Sequence, residues 1–516
     1  MIFVFFAAIS IFNRYEIATM SETINFLAID LGGASGRAIL GRWDGQHLKL
    51  EEIHRFPNEP VTIQGHQHWD VLRLWYEIKR GITRFAHRFK RPLCSIGVDT
   101  WGVDFALLDR RGNLLGNPYH YRDGRTDGML ELAFQQMPRR QIFEHTGNQF
   151  MQFNTLFQLL SMAHKNDPQL ETADTLLMMP DLFHYWLTGC KTTEFSIATT
   201  SQMYDIRQRH WARPVLTQLN IPVDILPAVV SPGSVVGQLP QALKDETDLR
   251  QSVSVVTPAS HDTSSAIAAI PDLDDHSVFI SSGTWSLVGV EIPQPIVNDQ
   301  ILALNYTNEG GIDDAVNLQK ILTGLWLLQE NQRQWQREGH SHSWDELLAL
   351  GQEAEPFQSL IDPDAADFLN PIDMATAIRA FCRRTGQPEP GNVGAIIRCC
   401  LESLALNYRQ ALKDLETLTG KPLQTIRIVG GGSRNRILCQ FTADACQRAV
   451  VTGPVEATAL GNILLQAIAT GHLPDIATGR KAIAASFEQQ YFEPGDKDVW
   501  DEAYGRFEQL KPGTED

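Results

Sequence analysis

Positive charge is in short supply in this sequence. Its 516 residues carry 44 Lys and Arg against 61 Asp and Glu, a formal net charge of -17. The basic residues are scattered rather than massed, which argues against a nucleic-acid partner bound by phosphate neutralisation. An acidic chain can still bind a nucleotide where backbone amides and a metal ion supply the neutralising charge. Cysteine is scarce as well, and seven thiols in a chain of this length make no disulfide framework. Cys399 and Cys400 are adjacent, Cys439 and Cys446 lie two helical turns apart, and no CxxC, HExxH or paired His/Cys spacing suggests zinc. Reduced, mostly buried thiols in a cytoplasmic protein are the expectation.

Two nucleotide fingerprints are missing. No GxxxxGK[ST] occurs, and the glycines from Gly430 fail GxGxxG because the sixth position is Asn435. The second absence removes a dinucleotide-dependent oxidoreductase. A membrane-spanning segment is missing too. The apolar opening "MIFVFFAAISIF" has 12 residues, short of the roughly 20 that cross a bilayer, and lacks a basic n-region. Residues 1–19 are read as an extension ahead of a start at Met20, with a weak export signal as the alternative.

What remains is an ordinary globular balance, 43% hydrophobic and 20% charged, in a chain long enough for two or three domains. "INFLAIDLGGASGRAILGRWDGQHLKLEEIHRF" predicts three strands, the first two flanking "LGGASG" and the third entered through the hairpin signal Asp44-Gly45. "SIGVDT" is a further strand ending near Asp99, and helical patterning dominates from about Leu130 to Leu187. After the Pro- and Asp-rich linker "IPDLDDHS", the run "SVFISSGTWSLVGVEIP" repeats the opening pattern of strand, small-residue turn and strand. Two related domains follow from that repetition. "TIRIVGGGSRNRILCQFTADACQ" then gives a strand, a triple-Gly turn and an amphipathic helix.

Any one of the turns "DLGGASGR", "SSGTWS" and "VGGGSRN" is explained by chain reversal alone. Three in succession, each with free amides and small residues after an apolar strand, suit phosphate oxygens. Asp30 closes the first strand just before its turn. A carboxylate beside a triphosphate needs a divalent cation between them, and Mg²⁺ fits because it uses one or two protein carboxylates and keeps several waters. His261-Asp262, in "ASHDTSSA", sits where a strand gives way to a helix. Either it caps that helix, or the carboxylate points at a substrate proton.

"AIDLGGASGR", "ASHDTSSA", "SSGTWSL" and "VGGGSRN" together resemble the FGGY carbohydrate kinases. "DTWGVDFALLD", "YRDGRTDG", "MPDLFHYWLTG", "TNEGG", "GLWLLQE" and "GPVEATALGN" resemble the branch of that family acting on L-rhamnulose. The likeness runs from about Phe26 to beyond Tyr491. It implies an α/β, two-domain actin-like or hexokinase-like ATPase fold of the ribonuclease H-like kind, with a central cleft. It places a sugar and catalytic-base domain at 20–272, an adenine-nucleotide domain at 273–495 and a tail at 496–516. The implied reaction is ATP-dependent phosphorylation of L-rhamnulose to its 1-phosphate in rhamnose breakdown. Kinases for xylulose, ribulose or glycerol, or an inactive nucleotide-binding regulator, are the alternatives.

The resemblance makes Asp262 the catalytic base and has Gly102, His261, Asp262 and Thr263 contact the sugar. It makes Gly33, Ala34, Ser35, Gly36 and Arg37 the first phosphate loop, gives Thr284 to the second, and sets Gln329 and Gly431 at the nucleotide. Asp30 is the Mg²⁺ residue, and Asn435 an adenine neighbour on weaker grounds. With Asp262 at the substrate, Thr263 and Ser264 become the expected helix caps. ATP, Mg²⁺ and a small sugar are the implied partners, with a monomer or small homo-oligomer as the assembly. The chain departs from the pattern at Ile321, where members of the branch carry an Asn contacting ATP. Losing one such hydrogen bond costs about 0.5–1.5 kcal/mol net, which weakens nucleotide binding without abolishing it.

Overall fold

The computed structural model describes residues 23–511, so the expectation for residues 1–19 and for the start at Met20 lies outside the described residues. Two β-sheets with helices around them make two lobes. The first sheet uses β1 (Ile24–Leu31), β2 (Ser35–Trp43), β3 (Leu48–Pro57), β4 (Leu93–Thr100), β5 (Ser234–Gln238) and β6 (Ser254–Thr257). Its strand order is β5-β6-β4-β1-β2-β3. The second uses β7 (Ser277–Ser282), β8 (Trp285–Ile292), β9 (Thr307–Gly310), β10 (Val316–Thr323), β11 (Thr425–Val429), β12 (Ala449–Thr452) and β13 (Tyr491–Phe492). Here the order is β9-β10-β8-β7-β11-β12-β13.

The repetition read in the sequence is a repetition of topology. In each lobe an antiparallel three-strand meander is followed by two strands added in parallel on the far side of its first strand. The crossover into the first added strand carries α1 (Val71–Arg88) in one lobe. The helix leaving the second added strand is α2 (Asp262–Ala268). In the other lobe several helices precede β11, among them α3 (Trp326–Arg337) and α4 (Val393–Thr419). The turn after β11 feeds α5 (Arg436–Cys446), and the counterpart of α2 is α6 (Ala457–Ala469). Each lobe therefore presents a Gly-rich hairpin and a set of parallel strand ends at the same edge.

β1 explains why both faces of such a strand must be apolar. Leu27, Ile29 and Leu31 join the cluster that includes Val71, Leu74 and Ile78 of α1. Phe26 and Ala28 face the opposite way and pack with Leu460, Ile463 and Leu464 of α6. The second cluster thus joins the lobes through the first sheet. The meeting of α2 and α6 is closer still: a Cβ on Gly461 would stand 1.8 Å from the Ser265 carbonyl oxygen. Residues after 495, expected as a tail, contain α7 (Lys497–Glu508), whose Trp500, Tyr504 and Phe507 are buried against Leu360, Leu406 and Ala445.

Candidate active site

Three neighbouring strand ends of the first lobe each deliver an acid. Asp30 on β1 pairs in register with Asp99 on β4. Thr100 then bridges to His261, which follows β6, and its N–H donates to the Ser260 carbonyl at 2.9 Å. Carboxyl ends of parallel strands are where such sheets bind ligands, and Asp30, Asp99 and Asp262 converge there. Loss of solvent raises the Asp262 pKa; His261 offsets part of that, and the Asp30 charge adds to it. Burial likewise lifts Asp99 well above the usual carboxylate range, helped by the charges of Asp30 and Asp262. Three acids repel in one place, so the site favours a cation or a shared proton.

A cation already answers that demand in part. Arg37 on β2 donates to Asp30 at 2.5 Å and also pairs with Glu456, at the foot of α6 in the other lobe. Asp99 is fully buried and accepts from Asn462 Nδ2 of α6 at 2.5 Å, while its Oδ1 has no partner among the described residues. Gln466, one turn on, donates to the Leu27 carbonyl at 3.1 Å and accepts from Ser95 at 2.7 Å. The acids therefore stand where α6 is stitched onto β1 and β4.

Asp262 is the first residue of α2, and His261 is its N-cap without a side-chain cap bond. The expectation that Thr263 and Ser264 cap this helix is corrected. Thr263 Oγ1 donates to Asp262 Oδ1 at 3.3 Å, and Ser264 Oγ donates to the Gly310 carbonyl at 3.0 Å. Asp262 itself is left 30% exposed. His261 is held between acids, with Nδ1 3.1 Å from Glu309 Oε2 and Nε2 3.5 Å from Asp262 Oδ1. Burial alone would lower the His261 pKa, but Glu309, Asp262 and Glu194 together raise it. Beneath it Glu194 is fully buried, its pKa pushed up to about 7 by burial despite bonds from Ser196, Ile197 and Ser260.

Gly102 stands beside Thr200, whose side chain would be 3.2 Å from a Cβ there. The neighbouring Trp101 is buried. Its indole N–H donates to Asp104 at 2.9 Å, Trp69 donates to the same carboxylate at 2.6 Å, and the two rings lie 4.1 Å apart. His120 extends that stack at 4.3 Å from Trp69. An indole wall beside Gly102, set by a buried acid, is thus a feature of the first lobe.

The first Gly-rich turn leaves Gly33 and Ala34 exposed at its tip, while Ser35 is half-buried and Gly36 packs on Phe56. Thr284 Oγ1 in the second turn donates to Gln329 Oε1 of α3 at 3.1 Å, bringing two expected nucleotide residues together. The third turn lies against the second: a Cβ on Gly432 would be 2.0 Å from Ser282 Oγ, whereas Gly431 faces open space. Asn435 Oδ1 accepts from Leu438 N at 3.0 Å, capping α5. At Ile321 the backbone N–H donates to Gln149 Oε1 at 2.9 Å and the carbonyl accepts from Gln149 Nε2 at 3.3 Å. A carboxamide from the first lobe thus occupies the edge where the sequence lacks an Asn side chain.

Asp99, Glu194, Glu309 and Glu456 were not singled out from the sequence. Asp99 had a signal, since it ends an apolar strand as Asp30 does. Glu309 and Glu456 act across long sequence separations and had none, and Glu194, a local helix cap, reaches the site through Ser260. Among the described residues, no group of three or more His, Cys, Asp or Glu side chains is arranged to hold a metal ion. No helix there is long and apolar enough to cross a membrane.

Known proteins resemble this chain over most of its length. Residues 25–268 match the N-terminal domain of the FGGY family of carbohydrate kinases, and residues 278–470 match its C-terminal domain. The rhamnulokinase of Bacteroides thetaiotaomicron is 44% identical over 483 residues, covering 94% of this chain and 98% of that protein. That of Pectobacterium atrosepticum is 40% identical over 491 residues, covering 94% and 96%. A ligand-bound xylulose kinase from Lactobacillus acidophilus superposes with a TM-score of 0.78 over 94% of this chain and 97% of its own, at 15% identity, which speaks to the fold. Both domain matches fall in order on lobes that repeat one topology around a shared edge of acids and glycine turns, and the chain belongs to the FGGY family of carbohydrate kinases.

Proposed function

We propose that this kinase transfers the terminal phosphoryl group of ATP to O1 of L-rhamnulose, giving L-rhamnulose 1-phosphate and ADP. The observation that carries the reading is near-full-length identity of 36–44% to proteins named rhamnulokinase. We take residues 20–272 as the lobe for sugar and base and 273–495 as the lobe for nucleotide.

Asp262 is the base in this reading. Its partly exposed carboxylate orients the O1 hydroxyl and accepts its proton as the O1–P bond forms and the bond from phosphorus to the β-phosphate oxygen breaks. His261, fixed between Glu309 and Asp262, donates to a sugar oxygen, and Thr263 and Gly102 complete the contacts. The backbone from Gly33 to Ser35, with Gly36 and Arg37 behind it, receives the phosphates from one side, and Thr284 receives them from the other. Gln329 and Gly431 flank the nucleoside.

Asp30, with Asp99 beside it, suits a cation that needs only one or two protein carboxylates, because Asp30 takes Arg37 as counter-charge and Asp99 Oδ1 has no partner among the described residues. Asp30 is the residue that would hold Mg²⁺, which supplies charge neutralisation at the phosphates when bound. Arg37 would then turn from Asp30 toward a phosphate oxygen. The test is ADP release by the purified chain across a panel of ketoses and polyols.

A further inference from the structure

Arg122 lies in the segment that leads from the indole wall to the other lobe, and no role above uses it. Its backbone N–H donates to His120 Nδ1 at 3.0 Å, so the residue is anchored to the aromatic stack of the sugar lobe. Its guanidinium reaches across. The central carbon is 4.2 Å from the Trp326 ring centre and 5.1 Å from that of Trp285, and Nη1 donates to the Leu369 carbonyl at 2.7 Å. Nη2 is buried with no acceptor among the described residues.

The two indoles it touches bracket the second phosphate loop. Trp285 directly follows Thr284, and the backbone N–H of Trp326 donates to the Thr284 carbonyl at 3.2 Å. Trp326 also opens α3, which carries Gln329, the acceptor for the Thr284 hydroxyl. Next to Arg122, the Tyr121 hydroxyl is 4.0 Å from where a Cβ of Gly33 would stand, so the same segment touches the first phosphate loop. A planar cation between two indoles gains from both ring faces and resists sliding out, because each ring fixes its plane.

We propose that Arg122 is a positioning residue that couples sugar binding to nucleotide binding, by clamping the second phosphate loop to the aromatic stack of the sugar lobe. The proposal rests on the reading of this chain as an ATP-dependent ketose kinase. Sugar that settles the stack also settles His120 and Arg122, and the clamp then presents Thr284 in its binding position. The unfilled Nη2 leaves the clamp able to donate to a substrate oxygen without first breaking a protein bond.

The experiment titrates a non-hydrolysable ATP analogue into the full chain, with and without saturating L-rhamnulose, for wild type, Arg122→Met, Arg122→Lys and Trp326→Leu. In wild type the sugar should tighten analogue binding by about tenfold, a typical coupling between two sites. Arg122→Met and Trp326→Leu should each reduce that ratio to near one. Arg122→Lys should recover only part of it, since an ammonium keeps the charge but not the plane. The variants should also raise ATP hydrolysis relative to sugar phosphorylation, which a purely structural defect would not do. A wild-type ratio retained in folded Arg122→Met, or in Trp326→Leu should the first variant unfold, overturns the clamp. Absence of any sugar-dependent ADP release by wild type would instead reject the kinase reading. Activity on a different ketose rejects only the choice of sugar, and the titration is then run with that ketose.

Discussion

Asp262, the base of the proposed reaction, stands first in α2, one residue past the cap. His261 takes the cap position, and the Asp262 carboxylate, which accepts from Thr263, remains partly open beside Asp30 and Asp99. Replacing it by Asn keeps the size and removes the base. Asp262→Asn should lower turnover by about a hundredfold or more while nucleotide binding persists, measured by coupled ADP detection beside a binding titration. Turnover near that of wild type would remove Asp262 from the mechanism.

Glu194 shows a second consequence of burial at this scale. Its pKa of about 7 in the folded chain lies above the ordinary 4.5, so the folded state holds a proton that the unfolded state has released. Stability from this group is complete below the ordinary value and is lost as pH rises through about 7. The shift corresponds to roughly 3 kcal/mol at most. In denaturation from pH 5 to pH 8, wild type should lose more stability, or gain less, than Glu194→Gln. The variant is the reference because buried Asp104 acts in the same direction, and buried His120 and His184 in the opposite one, in both proteins. An equal slope in the variant would place the titration elsewhere.

At the scale of elements, the α2–α6 crossing holds the lobes in register, since a Cβ on Gly461 would fall 1.8 Å from a backbone oxygen of Ser265. Backbone cannot step aside as a side-chain tip can. Gly461→Ala should therefore destabilise by about 1–3 kcal/mol, the usual range for overpacking, read as a lower urea midpoint. An unchanged midpoint would mean that the helices are free to part.

The same scale shows what was legible in the sequence. The β1–β2–β3 meander was readable because apolar runs alternate with Gly-rich and Asp-Gly turns, which are local signals. Asp30 and Asp262 were readable because each interrupts a strand-to-turn or strand-to-helix junction. Asp99 was missed although it ends β4 just as Asp30 ends β1. Glu309 and Glu456 were beyond reach, because their partners His261 and Arg37 are set by lobe packing rather than by neighbouring residues. The capping assignment for Thr263 and Ser264 failed for a related reason: Ser264 is drawn to Gly310 on the edge strand β9 of the opposite lobe.

Across the whole molecule, one topology used twice brings a glycine hairpin and a row of strand ends to the same edge in each lobe. Closing such a site keeps water from competing with a sugar hydroxyl for the phosphoryl group. Contacts that cross between lobes, among them Arg37 with Glu456, His261 with Glu309, and Arg122 with Trp285 and Trp326, join the acids to the glycine turns. They make nucleotide and sugar chemistry a property of the pair of lobes.

The most direct measurement is ADP release by the purified chain with ATP and Mg²⁺, in parallel on L-rhamnulose, xylulose, ribulose and glycerol. Release that depends on sugar and is strongest by far on L-rhamnulose is the expected result. Comparable rates on all four compounds, or ADP formed at one rate with and without any of them, would contradict the account.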